Sequence, residues 1–203
     1  MERAPSTRGE SRATPCGRVL IWGMSDEPSE LSARLHRVAE YEERIHHTPL
    51  TSMLRSLGRT RGFAAVYRRI GPTLDPWLMR KSRGRAITRL YGLPALLLDT
   101  TGSKTGLLRT SPLLYLRDGE DFVVVGTNFG QFHHPAWTAN LLSCPQAHVE
   151  VGPVRLAVVA EVADQATWER NWIRFCDLYP GYADYLQRCG DRIPRMFLLH
   201  PTA

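Results

Sequence analysis

From Pro94 onward the sequence changes its period, and that change limits the folds open to it. Short apolar runs of strand length follow one another, divided by turn residues. Ala95–Thr100 and Thr110–Arg117 read as two strands, and Asp118-Gly119 is a hairpin turn into a third, Asp121–Thr127 (DFVVVGT). Pro135–Ser143 reads as a short helix with proline in its first turn, stopped by Cys144-Pro145. Ala147–Val151 and Val154–Val162 form a hairpin around Gly152-Pro153. Asp164 caps a helix over Ala166–Leu178, with Trp168, Trp172 and Phe175 inward. A turn at Tyr179-Pro180-Gly181, a helical stretch over Ala183–Cys189 and a strand over Arg195–His200 complete the order β-β-β-α-β-β-α-β. Strands joined by tight hairpins are antiparallel, so the pattern predicts a small closed barrel, α+β but mainly β, not a doubly wound parallel sheet.

The front of the chain is different. Residues 1–28, rich in Pro, Ser, Thr, Gly and Arg, read as a disordered tail, and Met24 is a second candidate start. Residues 29–72 read as a helical extension. Its first helix begins near Glu30, capped by Ser29 or Asp26, carries Leu31, Leu35, Val38 and Ile45 on one face, and ends before Pro49. A weaker helix follows over 50–72. The barrel domain is assigned to 73–203. Its first segment, 73–92, is basic and amphipathic, which suits either docking on the barrel or lying on an anionic membrane surface.

Charge follows the same division. Residues 1–92 hold 17 basic and 9 acidic side chains, a net +8, whereas 93–203 hold 9 and 11, a net −2. A nucleic-acid-associated protein is therefore conceivable only through the front end, and the acidic barrel half argues against it. The four cysteines show no CxxC spacing, so free thiols in a cytoplasmic chain, without zinc, are expected. No apolar run is long enough to span a membrane.

Three constellations are candidates for chemistry. The first is Leu96–Pro112 (LLLDTTGSKTGLLRTSP), a strand, a glycine-bounded basic loop and a second strand. Lys104, one of two lysines beside 24 arginines, stands at its centre, and Arg109 follows five residues later. Such a loop suits an anion met by backbone N–H groups and cations; a solvated hairpin is the plainer alternative. The second is Thr127-Asn128-Phe129-Gly130 followed by His133-His134-Pro135-Ala136-Trp137, a strand end turning into a helix N-terminus. Thr127 offers a hydroxyl to a ring carbonyl or nitrogen. The adjacent histidines lack metal-ligand spacing and read as a loop pair. The third is Tyr179, Tyr182 and Tyr185, whose spacing puts three phenols on one side of a helical turn. They either stack on a flat ring or pack as ordinary aromatics. No Ser-His-Asp set or paired carboxylates stand out, so catalysis would depend on a borrowed cofactor.

Taken in series, TTGxKTG, xHPAWxxNL and LYPxYxDY, with Ile193-Pro194 after them, resemble the deazaflavin-dependent nitroreductase family over roughly residues 73–200. The resemblance implies an FMN-binding-like split β-barrel using coenzyme F420. Lys104, Thr105 and Arg109 would meet the cofactor's phosphate and glutamyl tail. Pro112 and Leu113 would line its slot. Val125, Gly126, Thr127 and Asn128 would run along the deazaflavin, with Thr127 at the reacting edge. Ala136, Trp137 and Asn140 would close the other side. Ser103, Thr110, Ser111, Leu114, Thr138 and Ala139 would complete the cofactor-binding set. Tyr179, Tyr182 and Tyr185 would shape the substrate pocket, with Tyr182 nearest, and would join Thr127 as the catalytic set. No metal is implied.

The implied reaction is hydride transfer from reduced deazaflavin to a quinone-like, nitroaromatic or enone acceptor. The chain is expected in the cytoplasm, with contact to the inner face of the cell membrane through 73–92 as the alternative to docking; split barrels often form homodimers, and the charge division leaves no nucleic-acid partner expected. Four positions depart from the pattern: Ser103 stands where a basic residue is common, Thr127 for serine, Asn128-Phe129 for a small or basic pair, and Thr138 for an aromatic residue. A non-catalytic F420 or flavin binding protein, or a related FMN enzyme, is the alternative.

Overall fold

The structure is a computed structural model describing residues 28–46 and 92–203. The expectations for the tail, the second helix and the basic 73–91 segment lie outside the described residues.

Six strands form a closed antiparallel barrel: β1 (Ala95–Thr101), β2 (Leu108–Asp118), β3 (Asp121–Gly126), β4 (Gln146–Val151), β5 (Val154–Val162) and β6 (Arg195–Pro201). Their order around the barrel is β1-β2-β3-β6-β5-β4, with β4 pairing back onto β1. The helices are α1 (Pro28–His46), α2 (Ala136–Ser143), α3 (Gln165–Leu178) and α4 (Gly181–Arg188), with one 3-10 turn at Asn128–Gly130. The six strands and the helices between them follow the expected order, to which the structure adds the 3-10 turn at Asn128–Gly130 and a distinct α4.

The alternation of strand side chains divides the core in two. Leu96, Leu98, Tyr115, Phe122, Val124, Leu156, Val158, Phe197 and Leu199 fill the barrel. Val123, Val125 and Met196 point the other way and pack beneath α3 and α4 with Phe175, Tyr182 and Tyr185. β3 is thus buried on both faces, which explains its unbroken apolar run. β5 has cover on one face only, so exposed Arg155 and Val159 alternate with buried Leu156 and Val158. Burying a Leu- or Phe-sized side chain is worth about 1.5–3 kcal/mol, so either layer holds its helices firmly.

The two ends of the barrel differ. Leu97 of β1 pairs with Glu150 of β4, which sets the β4–β5 turn at the end where β1 begins. α1 closes this end: Leu31, Leu35, Val38 and Tyr41 pack on the barrel core, and Tyr115 Oη donates to Glu42 Oε1 at 2.6 Å. α2 closes the opposite end with Trp137 and Leu141. α3 starts where Asp164 accepts from the Thr167 N–H at 2.8 Å, the cap expected from sequence. Cys176 and Cys189 are free, whereas Cys144 is disulfide-bonded, which corrects the expectation of free thiols throughout. No helix among the described residues is long and apolar enough to cross a membrane, and none of their His, Cys, Asp and Glu side chains form a metal-binding group of three.

Candidate functional site

The three constellations meet at the α2 end of the barrel. β1 ends at Thr101 opposite Leu108 of β2, so the 102–107 loop lies on this rim. β3 ends at Gly126 opposite Arg195, where β6 begins, so the 127–135 corner and the 189–194 segment lie there too.

The basic loop is held by hydrogen bonds of its own. Gly102 N donates to Leu107 O at 2.8 Å, Gly106 N to Gly102 O at 2.7 Å and Thr105 N to Gly102 O at 3.2 Å. Ser103 N donates to Asn140 Oδ1 at 2.9 Å, and Asn140 Nδ2 donates to Thr100 Oγ1 at 3.0 Å. Buried Asn140 thereby ties the loop to α2 and β1. This corrects one expectation: nearly all of the loop's N–H groups are already engaged and do not face an anion. The side chains do. Lys104 and Arg109 are exposed, with no hydrogen bond or ion pair among the described residues. Thr110 is instead fixed, its hydroxyl donating to Asp99 Oδ1, while Asp99 Oδ2 pairs with Arg155 at 2.9 Å.

The corner after β3 is unusual in its backbone. Asn128 and Phe129 have φ of 50° and 55°, and Gly130 follows at 78°. Residues other than glycine seldom adopt this region, least of all bulky ones. Phe129 packs edge-on against Tyr185, with ring centroids 6.0 Å apart, which brings the corner against α4. Thr127 is 6 % exposed, and its hydroxyl has no hydrogen-bond partner among the described residues.

The phenols do form one cluster. Tyr182 is 5.8 Å from Tyr179 and 6.0 Å from Tyr185, ring centre to ring centre, and 5.2 Å from Phe175. Tyr182 is 6 % exposed, and its hydroxyl likewise has no hydrogen-bond partner among the described residues. Burial, and then the neighbouring Tyr185 and Cys176, push its ionisation well above the ordinary phenol range, so it remains a proton donor.

Strand alternation sorts the remaining expected residues. Leu114 and Val125 share the phenol side, and Thr110 and Pro112 sit on the same strand face as Leu114. Leu113 and Trp137 are packed into the barrel core, and Arg109 and Ser111 share Leu113's face. On α2, Ala136 and Ala139 are exposed small residues, while Thr138 is buried and donates to Pro135 O at 2.9 Å. The 138 position is thus occupied by a small residue that Gly126 approaches closely, its added Cβ falling 2.7 Å from Thr138 Cγ2.

Sequence reasoning missed Arg192. Its guanidinium donates to Gly126 O at 3.0 Å, Thr127 O at 2.6 Å and Gln131 O at 2.8 and 3.1 Å. These partners are about sixty residues away in the chain, and no spacing rule reaches that far. Arg192 Nη1 also lies 3.3 Å from His134 Nδ1. Arginine only donates, so Nδ1 accepts and the imidazole proton sits on Nε2.

Burial, Arg195 and Arg192 hold the His134 imidazolium below its ordinary range. The unfolded chain therefore binds this proton first, and the stability from neutral His134 is complete above about pH 6.5 and declines as pH falls through the lowered folded value. His148, lowered by its own burial and by Arg155, acts in the same direction. Urea midpoints are expected to fall between pH 7.5 and 5.5, and to fall less in His134→Asn, whose amide still accepts from Arg192 without titrating. An equal fall in both proteins would remove His134 from the account.

A cavity of about 310 Å³ lies elsewhere, between α1 and the β4–β5 turn, lined by Arg34, Arg37, Pro153, Val154 and Arg155. Two of its guanidiniums are already paired, Arg34 with Glu30 and Arg155 with Asp99, and it shares no residue with the rim.

A family model described as F420H(2)-dependent quinone reductase matches residues 74–200. The chain belongs to this family. An F420H(2)-dependent quinone reductase of Mycobacterium tuberculosis is 40 % identical over 85 residues, 41 % of this chain and 57 % of that protein. A second chain from the same organism, assigned to the same family, is 34 % identical over 109 residues, 54 % of this chain and 91 % of that one. The match thus spans 57 % of the length of the first of these relatives. Among solved structures, one described as an F420-H2 dependent reductase (FDR-A) is 29 % identical, covering 53 % of this chain and 94 % of that one with a TM-score of 0.49. The one described as a domain-swapped dimer is 24 % identical, covers 63 % and 100 %, and has a TM-score of 0.50, which speaks to the fold.

The rim fits the cofactor of the family's name. Two buried hydroxyls, Thr127 and Tyr182, have no protein partner among the described residues, and two free cations, Lys104 and Arg109, stand at the same end of the barrel. Buried polar groups are nearly always satisfied by protein, water or a bound group, so these two hydroxyls have hydrogen-bonding capacity left for a ligand. A flat ring with a polar edge and an anionic tail supplies what both halves lack.

Proposed function

We propose that the protein is an F420-dependent oxidoreductase that reduces a quinone-like acceptor at the α2 rim of its barrel. The orphaned hydroxyl of Tyr182, buried among aromatic rings, carries this reading. When bound, reduced F420 supplies a hydride. The chain's own residues do the rest. Lys104 and Arg109 hold the anionic tail by charge, with Arg109 suited to a bidentate grip. Thr127 and Asn128 flank the ring from the end of β3. Ala136 and Ala139 leave room for close approach from α2. Tyr179, Tyr182 and Tyr185 exclude water over the acceptor and can offer a proton to an oxygen that gains charge. A lipid-soluble acceptor would suit the basic 73–92 segment, with the protein at the inner face of a membrane.

The test is a fluorescence titration of the full chain with oxidised F420, beside an assay of F420H2 oxidation by menadione. Lys104→Ala is expected to weaken F420 binding about tenfold, the loss of one exposed charge contact worth roughly 1.4 kcal/mol. Equal affinity would remove Lys104 from the site. Tight binding without menadione reduction would favour a non-catalytic carrier. Binding of FMN in place of F420 would overturn the cofactor assignment.

A further inference from the structure

We propose that Arg192 is the positioning residue of the cofactor corner: its guanidinium holds the Gly126, Thr127 and Gln131 carbonyls and so fixes where Thr127 presents its hydroxyl. The corner needs such a hold. Asn128, Phe129 and Gly130 form three successive left-handed residues; Asn and Gly tolerate that region, but the bulky Phe129 does not. This path turns the carbonyls of Gly126, Thr127 and Gln131 toward the 189–192 turn. Few backbone bonds lie within the corner itself, Gly130 N to Thr127 O at 3.1 Å and Gln131 N to Asn128 O at 3.1 Å. Strained backbone of this kind persists only where its surroundings over-determine it.

Arg192 supplies that surplus from one planar group. Nε and Nη2 converge on Gln131 O, Nη2 also meets Thr127 O and lies 2.8 Å from Cys189 Sγ, and Nη1 meets Gly126 O and His134 Nδ1. No carboxylate among the described residues pairs with it, so its donors go to the corner and not to an ion pair. Lysine cannot replace it: a single ammonium cannot reach carbonyls on both sides of the turn at once. His134, held as the Nε2–H form by the same guanidinium, becomes a second fixed group on the rim. The consequence for ligand binding rests on the proposed F420 site; the hold on the backbone does not.

The experiment compares the full-length protein with Arg192→Lys and Arg192→Gln. Hydrogen exchange without cofactor reads the corner, and F420 affinity and the kcat and KM for menadione read the site. Exchange at the Gly130 and Gln131 amides is expected to speed up about tenfold or more in both variants, the effect of losing roughly one charge-assisted bond or more, while the barrel strands keep their protection. F420 affinity and kcat are expected to fall about tenfold each with the menadione KM little changed, since the group that orients the ring is displaced and the acceptor pocket is not. If neither variant changes exchange at the corner, the proposal is wrong. Protection lost evenly across the barrel would also overturn it, by making Arg192 a general stabiliser. Faster corner exchange in a protein whose parent form binds no F420 would uphold the clamp and sink the cofactor reading.

Discussion

Tyr182→Phe is expected to leave the cofactor-free protein as stable as the parent or slightly more so, while Tyr182→Ala loses about 3–5 kcal/mol. The ring and the hydroxyl of this residue serve different ends. The ring sits among Phe175, Trp172, Tyr179 and Tyr185, with Val123, Val125 and Met196 beneath it, so truncation opens a cavity under α3 and α4. The hydroxyl has no partner among the described residues, and a buried donor left unsatisfied costs roughly 1–3 kcal/mol. Phenylalanine removes that penalty and keeps the packing. A hydroxyl that costs stability in the free protein is a candidate for a role in ligand binding or turnover. Turnover with F420H2 and menadione is therefore expected to fall about tenfold in Tyr182→Phe, as for the loss of one positioned donor. Urea denaturation and steady-state rates on the two variants check this. A clear loss of stability in Tyr182→Phe would show that the hydroxyl has a protein partner, and would remove the main support for a bound ring.

The strands were legible because their ends are marked chemically. Asp118-Gly119 and Gly152-Pro153 terminate apolar runs on both sides, and the observed turns fall there. The apolar runs Leu96–Leu98 of β1 and Phe122–Val125 of β3 are buried on both faces, whereas β5 alternates and is covered on one. Small offsets have simple causes. Pro180-Gly181 reads as a turn, yet proline is tolerated where a helix begins, so α4 starts at Gly181 and not Ala183. Pro135 likewise stands at the cap of α2, one position before the helix proper.

The candidate residues stand out in the sequence, and the contacts that wire them together do not. Lys104, Thr127 and the three tyrosines announce themselves by local pattern, and Asn140 only through the family resemblance. The engagement of the loop amides by Leu107 O and Asn140, the left-handed path through Asn128-Phe129, and the reach of Arg192 are consequences of tertiary contact. Local propensity argues against the second of these outright: nothing about Phe129 favours a positive φ, and only its packing on Tyr185 and the hold of Arg192 account for it.

Gly130→Ala is expected to destabilise the protein by about 2–5 kcal/mol, well beyond the same change at Gly106. Both glycines lie at positive φ, 78° and 67°, so both pay the conformational penalty of about 1–2 kcal/mol for a left-handed residue. Only Gly130 adds a collision. A Cβ there would fall 2.8 Å from Arg188 Cβ and 3.1 Å from the Cα and carbonyl oxygen of Tyr185, whereas one on Gly106 meets nothing within 4 Å. Backbone cannot move aside as a flexible side chain can, so the corner and α4 must separate, at an overpacking cost of about 1–3 kcal/mol more. Separation also withdraws Phe129 from Tyr185 and spreads the phenols from the end of β3. Gly130→Ala should therefore weaken F420 binding even at a urea concentration where the barrel is fully folded, and Gly106→Ala should not. Urea midpoints and F420 titrations on the two variants measure both halves. Equal destabilisation at the two glycines would mean that the corner does not rest on α4, and the contact between ring edge and phenols would lose its structural basis.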